Sequence, residues 1–262
     1  VIWFTLAYPE TFSRGSIALG AEPMDLNKVT RVAAWSLLAA AIAAHPVQAE
    51  EAGEAAGTAW DISGNVGVTS DYRFRGISLS EKNPAIQGGV DVGHESGLFA
   101  GIWASSISRY GGSHTEVDLY AGYGGSSAGI DYSVTALAYV YPGGHGVDYA
   151  ELMGSLGTAI GPATVGVDLG WVPKQDNFGG DNFYLAAKAE VPIGDTGASL
   201  FGHFGRENGD VYDCKLDWEA GVSYSTGALT ASLSYVDSNY SGAGEAGRLA
   251  KAGAIARLTA SF

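Results

Sequence analysis

Ala254-Ile255-Ala256-Arg257-Leu258-Thr259-Ala260-Ser261-Phe262, the run on which the chain closes, has small or apolar residues at every even position and mostly polar ones between. Successive side chains of a strand point to opposite faces. The even positions therefore form a dry face, and Arg257, Thr259 and Ser261 a wet one. A dry face toward lipid, a wet face toward an interior and an aromatic end at the interface are the marks of a strand in a membrane barrel. A soluble strand alternates equally well, so the choice depends on whether the rest of the chain repeats the pattern.

It repeats. A first strand is expected from Trp60 to Gly76, with Trp60, Ile62, Val66, Val68, Tyr72 and Phe74 on one face and Asp61, Asn65, Asp71, Arg73 and Arg75 on the other. A second follows over Ile86 to His94, and a third over Leu98 to Ser106, whose two faces are both apolar or small. The fourth sets Val117, Leu119, Ala121 and Tyr123 against Glu116, Asp118 and Tyr120. The fifth sets Ile130, Tyr132, Val134 and Ala136 against Asp131, Ser133 and Thr135. Glu151, Asp168, Lys188 with Glu190, and Asp217 with Glu219 mark the wet faces of later strands. With the run ending at Phe262, twelve strands are expected over 60–262, an even count that brings both ends of the wall to one side.

Short glycine-bearing turns, such as Glu95-Ser96-Gly97 and Ser225-Thr226-Gly227, alternate with longer connections. The longer ones are Leu79–Pro84, Arg109–His114, Pro142–Asp148, Pro173–Asp181, Arg206–Asp213 and Asp237–Arg248, expected to lie outside the cell, with the short turns in the periplasm. On that orientation Tyr72, Phe74, Trp171, Phe183, Phe204, Trp218 and Tyr235 form an outer aromatic belt. Trp60, Tyr123, Tyr132, Tyr224 and Phe262 form an inner one. A soluble sandwich has no reason to sort its aromatics by strand end. The fold class is therefore all-β, a membrane-spanning antiparallel up-and-down barrel.

The composition agrees. Glycine contributes 39 of 262 residues and tyrosine 14, which suits many short strands and tight turns. A net charge of -14 gives no attraction to nucleic acid or to an anionic membrane surface. The one cysteine, Cys214, has no internal partner for a disulfide.

The apolar stretch Val32 to Ala44, preceded by Lys28 and Arg31 and followed by Val47-Gln48-Ala49, reads as a secretory signal peptide cleaved between Ala49 and Glu50. Residues 24–49 make a signal of ordinary length, so translation is expected to start at Met24, leaving 1–23 as upstream sequence without function. Residues 50–59 would be a flexible acidic lead into the barrel.

The block Ser63-Gly64-Asn65-Val66-Gly67-Val68-Thr69-Ser70-Asp71-Tyr72-Arg73-Phe74-Arg75-Gly76-Ile77-Ser78, followed by Asn83-Pro84-Ala85-Ile86-Gln87-Gly88-Gly89 and His94-Glu95-Ser96-Gly97, resembles the opening of the TorF-like porins of proteobacteria. Val117 to Tyr123, Asp148 to Leu152 and Gly161 to Gly166 extend the resemblance along the mature chain. It implies an outer-membrane pore.

Twelve strands enclose a narrow lumen, restricted further by inward Tyr120, Tyr139, Tyr141, Tyr149 and Tyr184. The expected activity is passive diffusion of small hydrophilic solutes or ions. The expected pore-lining charges are Arg73, Arg75, Asp91, Glu116, Asp118, Asp131, Glu151, Asp168, Lys188, Glu190, Asp217, Glu219, Lys251 and Arg257. Arg73 and Arg75 on the first strand and Lys251 and Arg257 on the last would make a basic seam facing an acidic wall on strands four to seven. Pairs such as Asp91 with Arg73 and Asp168 with Lys188 are the simpler use of the same charges. Phe262 is the expected insertion signal for the barrel-assembly machinery, and outer-membrane lipid the expected surroundings.

A barrel enzyme acting on lipid, or a plugged structural barrel, are the competing classes. His94, Glu95 and Ser96 are strand neighbours that point to alternate faces and make no relay. His114 and His145 lack the spacing of metal ligands. No catalysis, cofactor or metal is expected. Peptide mapping of the unprocessed precursor is expected to yield nothing between Ile2 and Glu22, and recovery of such peptides would overturn the Met24 start.

Overall fold

A strand needs partners for its backbone groups on both edges, and a sheet that curls until its first and last strands meet leaves no edge. The computed structural model describes residues 59–242 and 245–262, and they close in this way. The segments 1–23 and 24–49, the Ala49/Glu50 cleavage site and all but the last residue of 50–59 lie outside the described residues.

The wall consists of β1 (Trp60–Thr69), β4 (Ala85–His94), β5 (Leu98–Tyr110), β6 (Ser113–Ser127), β7 (Ile130–Val140), β8 (Tyr149–Ile160), β9 (Ala163–Val172), β10 (Asn182–Pro192), β11 (Ala198–Gly209), β12 (Lys215–Thr226), β13 (Leu229–Ser238) and β14 (Gly253–Ser261). Each pairs antiparallel with its neighbours in the wall, β1 with β4 across the segment between them. The ring shuts where β1 meets β14, from Asn65 opposite Ser261 to Thr69 opposite Arg257. Reciprocal hydrogen bonds of 2.8 and 2.9 Å between Gly64 and Phe262 extend that joint by one step. Two short strands, β2 (Arg73–Phe74) and β3 (Ile77–Ser78), form a separate hairpin between β1 and β4. The helix α1 (Glu245–Leu249) precedes β14.

The alternation read from the sequence sorts cleanly. Ile62, Val66 and Val68 of β1, Leu152 and Leu156 of β8, Leu185 of β10 and Leu233 of β13 are all exposed on the outside of the barrel. Trp171, Phe183, Phe204 and Tyr235 lie exposed toward the long-loop rim, and Trp60, Tyr123, Tyr132, Tyr224 and Phe262 toward the short-turn rim.

Three expectations change. The first strand stops at Thr69, where the Thr69 hydroxyl donates to the Asp71 carbonyl at 3.0 Å. Arg75 and Gly76 then take positive φ values of 44° and 85°, the turn of a two-residue hairpin. Tyr72 and Phe74 consequently leave the outer belt and are buried inside. Arg109–His114 is no loop: Gly111 and Gly112, at φ 58° and 110°, join β5 to β6 directly. β5, whose phase the sequence left open, turns Phe99, Trp103, Ser105 and Ile107 inward and Leu98, Ile102 and Ser106 outward.

Few L-residues reach a φ of 110°, so Gly112→Ala forces strain into the β5–β6 turn. The expected loss is about 1–3 kcal/mol, read as a lower urea midpoint with the slope unchanged.

Candidate functional site

The inner face changes character midway along the barrel. Toward the long-loop rim it is packed: Tyr72, Phe74, Ile77 and Leu79 of the hairpin segment contact a cluster with Trp103, Tyr110, Leu137, Tyr139, Tyr141, Tyr149, Phe178, Tyr212 and Leu249. Toward the short-turn rim the inward Asp91, Phe99, Tyr120, Lys188, His203, Glu219 and Arg257 are half-buried. Several rings there lie against inward glycines: a Cβ on Gly101 would come within 2.5 Å of the Tyr120 ring, and one on Gly221 within 2.6 Å of Phe201.

The hairpin crosses the lumen because its tip carries a cation. The Arg75 guanidinium donates at 2.6 Å to Glu151 of β8 and at 2.9 Å to Glu207 of β11, and lies over the rings of Phe74 and Tyr184 at 4.5 and 4.1 Å. Burial works against its charge, but the two carboxylates more than offset this and hold the guanidinium well above its ordinary pKa. Lys215 of β12 donates at 2.6 Å to the Arg75 carbonyl and pairs with Glu207 at 2.9 Å. Asn182 donates at 2.8 Å to Glu207, and the Tyr139 hydroxyl at 2.8 Å to Glu151. The hairpin base is fixed as well: Asp71 accepts from Arg73 Nε at 2.7 Å and from Ser78 at 2.6 Å.

Placed one by one, the expected lining residues divide. Glu116, Asp118, Glu151 and Asp217 are fully buried inward. Glu116 accepts from the Tyr72 and Tyr141 hydroxyls at 2.9 and 2.8 Å. Asp217 accepts from Tyr184 at 3.1 Å and lies 3.0 Å from His203 Nε2. Lower down, Lys188 pairs with Asp168 at 2.8 Å, Arg257 with Glu219 at 2.6 Å, and Tyr120 donates to Asp91. Asp131 and Glu190 stand exposed near the short-turn rim.

The basic seam does not form as expected. Arg73 and Arg75 lie on the hairpin, and Arg75 crosses to the acidic side. Arg73 pairs with Asp71, not with Asp91, and donates at 2.8 Å to the Lys251 carbonyl. The Lys251 side chain is exposed because β14 begins two residues later.

Glu207 falls within Arg206–Asp213, which the sequence presents as a loop, and Lys215 lies two residues beyond it. The signal was present, since Glu207 continues the inward period of Phe201, His203 and Gly205. At the short-turn rim the Ser96 amide and hydroxyl lie 3.2 and 2.8 Å from His94 Nδ1. The turn at Gly97 folds Ser96 back, so the imidazole caps that turn while its face meets Trp60 at 4.5 Å.

The closed barrel is shared with solved structures. The KdgM porin is similar at a TM-score of 0.54 and 6% identity, over 76% of this chain and 98% of that one. The NanC porin gives 0.51 and 14%, over 77% and 99%. The KdgM porin in complex with disordered oligogalacturonate gives 0.51 and 7%, over 77% and 97%. None of the curated proteins matches the chain in sequence. Residues 52–262 match the family model described as a bacterial protein of unknown function (Gcw_chp).

Removing one partner of a buried ion pair strands the other charge. Arg75→Ala is expected to destabilise the barrel by about 3–5 kcal/mol, measured by urea unfolding in lipid vesicles. Adding Glu151→Gln and Glu207→Gln to it should restore part of that loss.

Proposed function

The chain belongs to the Gcw_chp family of bacterial proteins of unknown function, and from that premise we propose that it is an outer-membrane channel of the porin type, passing small hydrophilic solutes or ions by diffusion. The observation that carries this reading is the inversion of polarity around a closed wall: apolar side chains and aromatic belts outside, charges and tyrosines inside. A wall of that kind suits lipid outside and water within. The likeness in fold to the KdgM and NanC porins supports it. So does the resemblance of Ser63 to Ser78 to the TorF-like porins, among which this reading places the chain.

The protein is exported through the periplasm by the 24–49 signal and inserted by the assembly machinery, which reads the strand ending at Phe262. Solutes meet the lining charges Asp91, Asp168, Lys188, Glu219 and Arg257 in the half toward the short-turn rim. The path through the packed half opens when the Asp71–Ser80 hairpin withdraws. Carboxylates outnumber cations along the lumen, which favours cations weakly and disfavours polyanionic cargo. The wall carries no catalytic role in this reading. A plugged structural barrel is the second reading, favoured by the burial of Tyr139, Tyr141 and Glu116 at the packed level.

The test is conductance of the purified barrel in a planar bilayer, with and without residues 71–80 replaced by a short Gly-Ser turn. The shortened barrel is expected to show larger, weakly cation-selective steps than the parent. Silence from both, with heat-modifiable migration confirming folded barrels, would establish the plugged alternative.

A further inference from the structure

Charge in the packed half of the lumen does not balance. Glu151 faces Arg75, Glu207 faces Arg75 and Lys215, and Asp217 faces Lys215 and His203. Among the described residues no cationic side chain reaches Glu116 or Asp118. Glu116 is solvated by two tyrosine hydroxyls. Asp118 is 0% exposed, and neither of its oxygens has a donor among the described residues. A buried carboxylate without a donor or a counter-charge is among the costliest arrangements a protein interior can hold.

The surroundings of Asp118 are specific. On the ladder it sits directly opposite Trp103 on one side and Tyr139 on the other. Trp103 lies 5.7 Å from the Tyr72 ring, and Tyr139 stacks on Tyr149 at 4.2 Å. Glu116 is two residues along the same strand and points to the same side. Carboxylate oxygens among aromatic faces attract a monovalent cation of low hydration energy. A divalent ion demands six or more oxygen ligands, and no group of three or more acidic, histidine or cysteine side chains is arranged to hold a metal ion among the described residues.

We propose that Asp118, with Glu116 beside it and Trp103 and Tyr139 flanking it, binds one dehydrated monovalent cation of potassium or ammonium size inside the packed half of the barrel. The cation offsets part of the excess negative charge of the packed half and ties β6 to the hairpin, through the Tyr72 bond to Glu116. The site requires the folded barrel and not conduction, so its test is separate from that of the channel.

The folded full-length protein in detergent micelles is equilibrated with radiolabelled rubidium chloride in a background of N-methylglucamine chloride. The parent is expected to retain rubidium, and Asp118→Asn to lose that retention while keeping its heat-modifiable migration. The thermal midpoint of the parent should rise when potassium replaces N-methylglucamine at equal ionic strength, and that of Asp118→Asn should not move. A parent that retains no rubidium overturns the proposal whatever the variant does. Equal retention in parent and variant places the ion elsewhere and overturns it too.

Discussion

The pairing of β1 with β14 is the constraint on which the other features depend. In hydrocarbon no water reaches a free strand edge, so a spanning sheet is admissible only when its last strand bonds to its first. That requirement sets the even strand count and the alternation. Once the ring is closed, every inward position shares one lumen. Residues as distant in sequence as Arg75 and Glu207 then come within hydrogen-bonding reach.

What fills the lumen follows from one local choice. The chain leaves β1 at Thr69 and turns into the barrel, where Arg75 finds carboxylates on β8 and β11. Arginine suits this place better than lysine would. Its planar fork reaches two acceptors at once while its faces rest on Phe74 and Tyr184. The left-handed backbone at Arg75 costs some free energy, which these contacts offset. The packed half is thus an aromatic core organised around an ionic centre, and the other half remains a polar vestibule.

Much of this was legible in the sequence. The period of two in Val117 to Tyr123 and in Leu229 to Tyr235 fixes both the strands and their outward faces, because one face must meet an apolar medium. The inward hairpin was not legible, since Asp71-Tyr72-Arg73-Phe74-Arg75 continues the alternation of β1 without a break. Only the Arg75–Gly76 turn ends it, and glycine is too common here to be a signal. The β5–β6 turn was hidden for the same reason. Most of the charges were recognised as inward, and the pair of Asp168 with Lys188 was legible, but the partners of Arg73 and Arg75 were not. Which carboxylate meets which cation depends on barrel closure and on a loop that enters the lumen, and neither is encoded in local spacing.

The seam between β1 and β14 registers only five residue pairs, where β1 and β4 register ten. Gly64 bonds to Phe262, and Trp60 to Ser63 pair only with β4. In mechanical terms the wall is a hoop whose clasp is half as long as its neighbouring joint. A pull on the C-terminus loads that clasp one bond at a time, and tearing starts there.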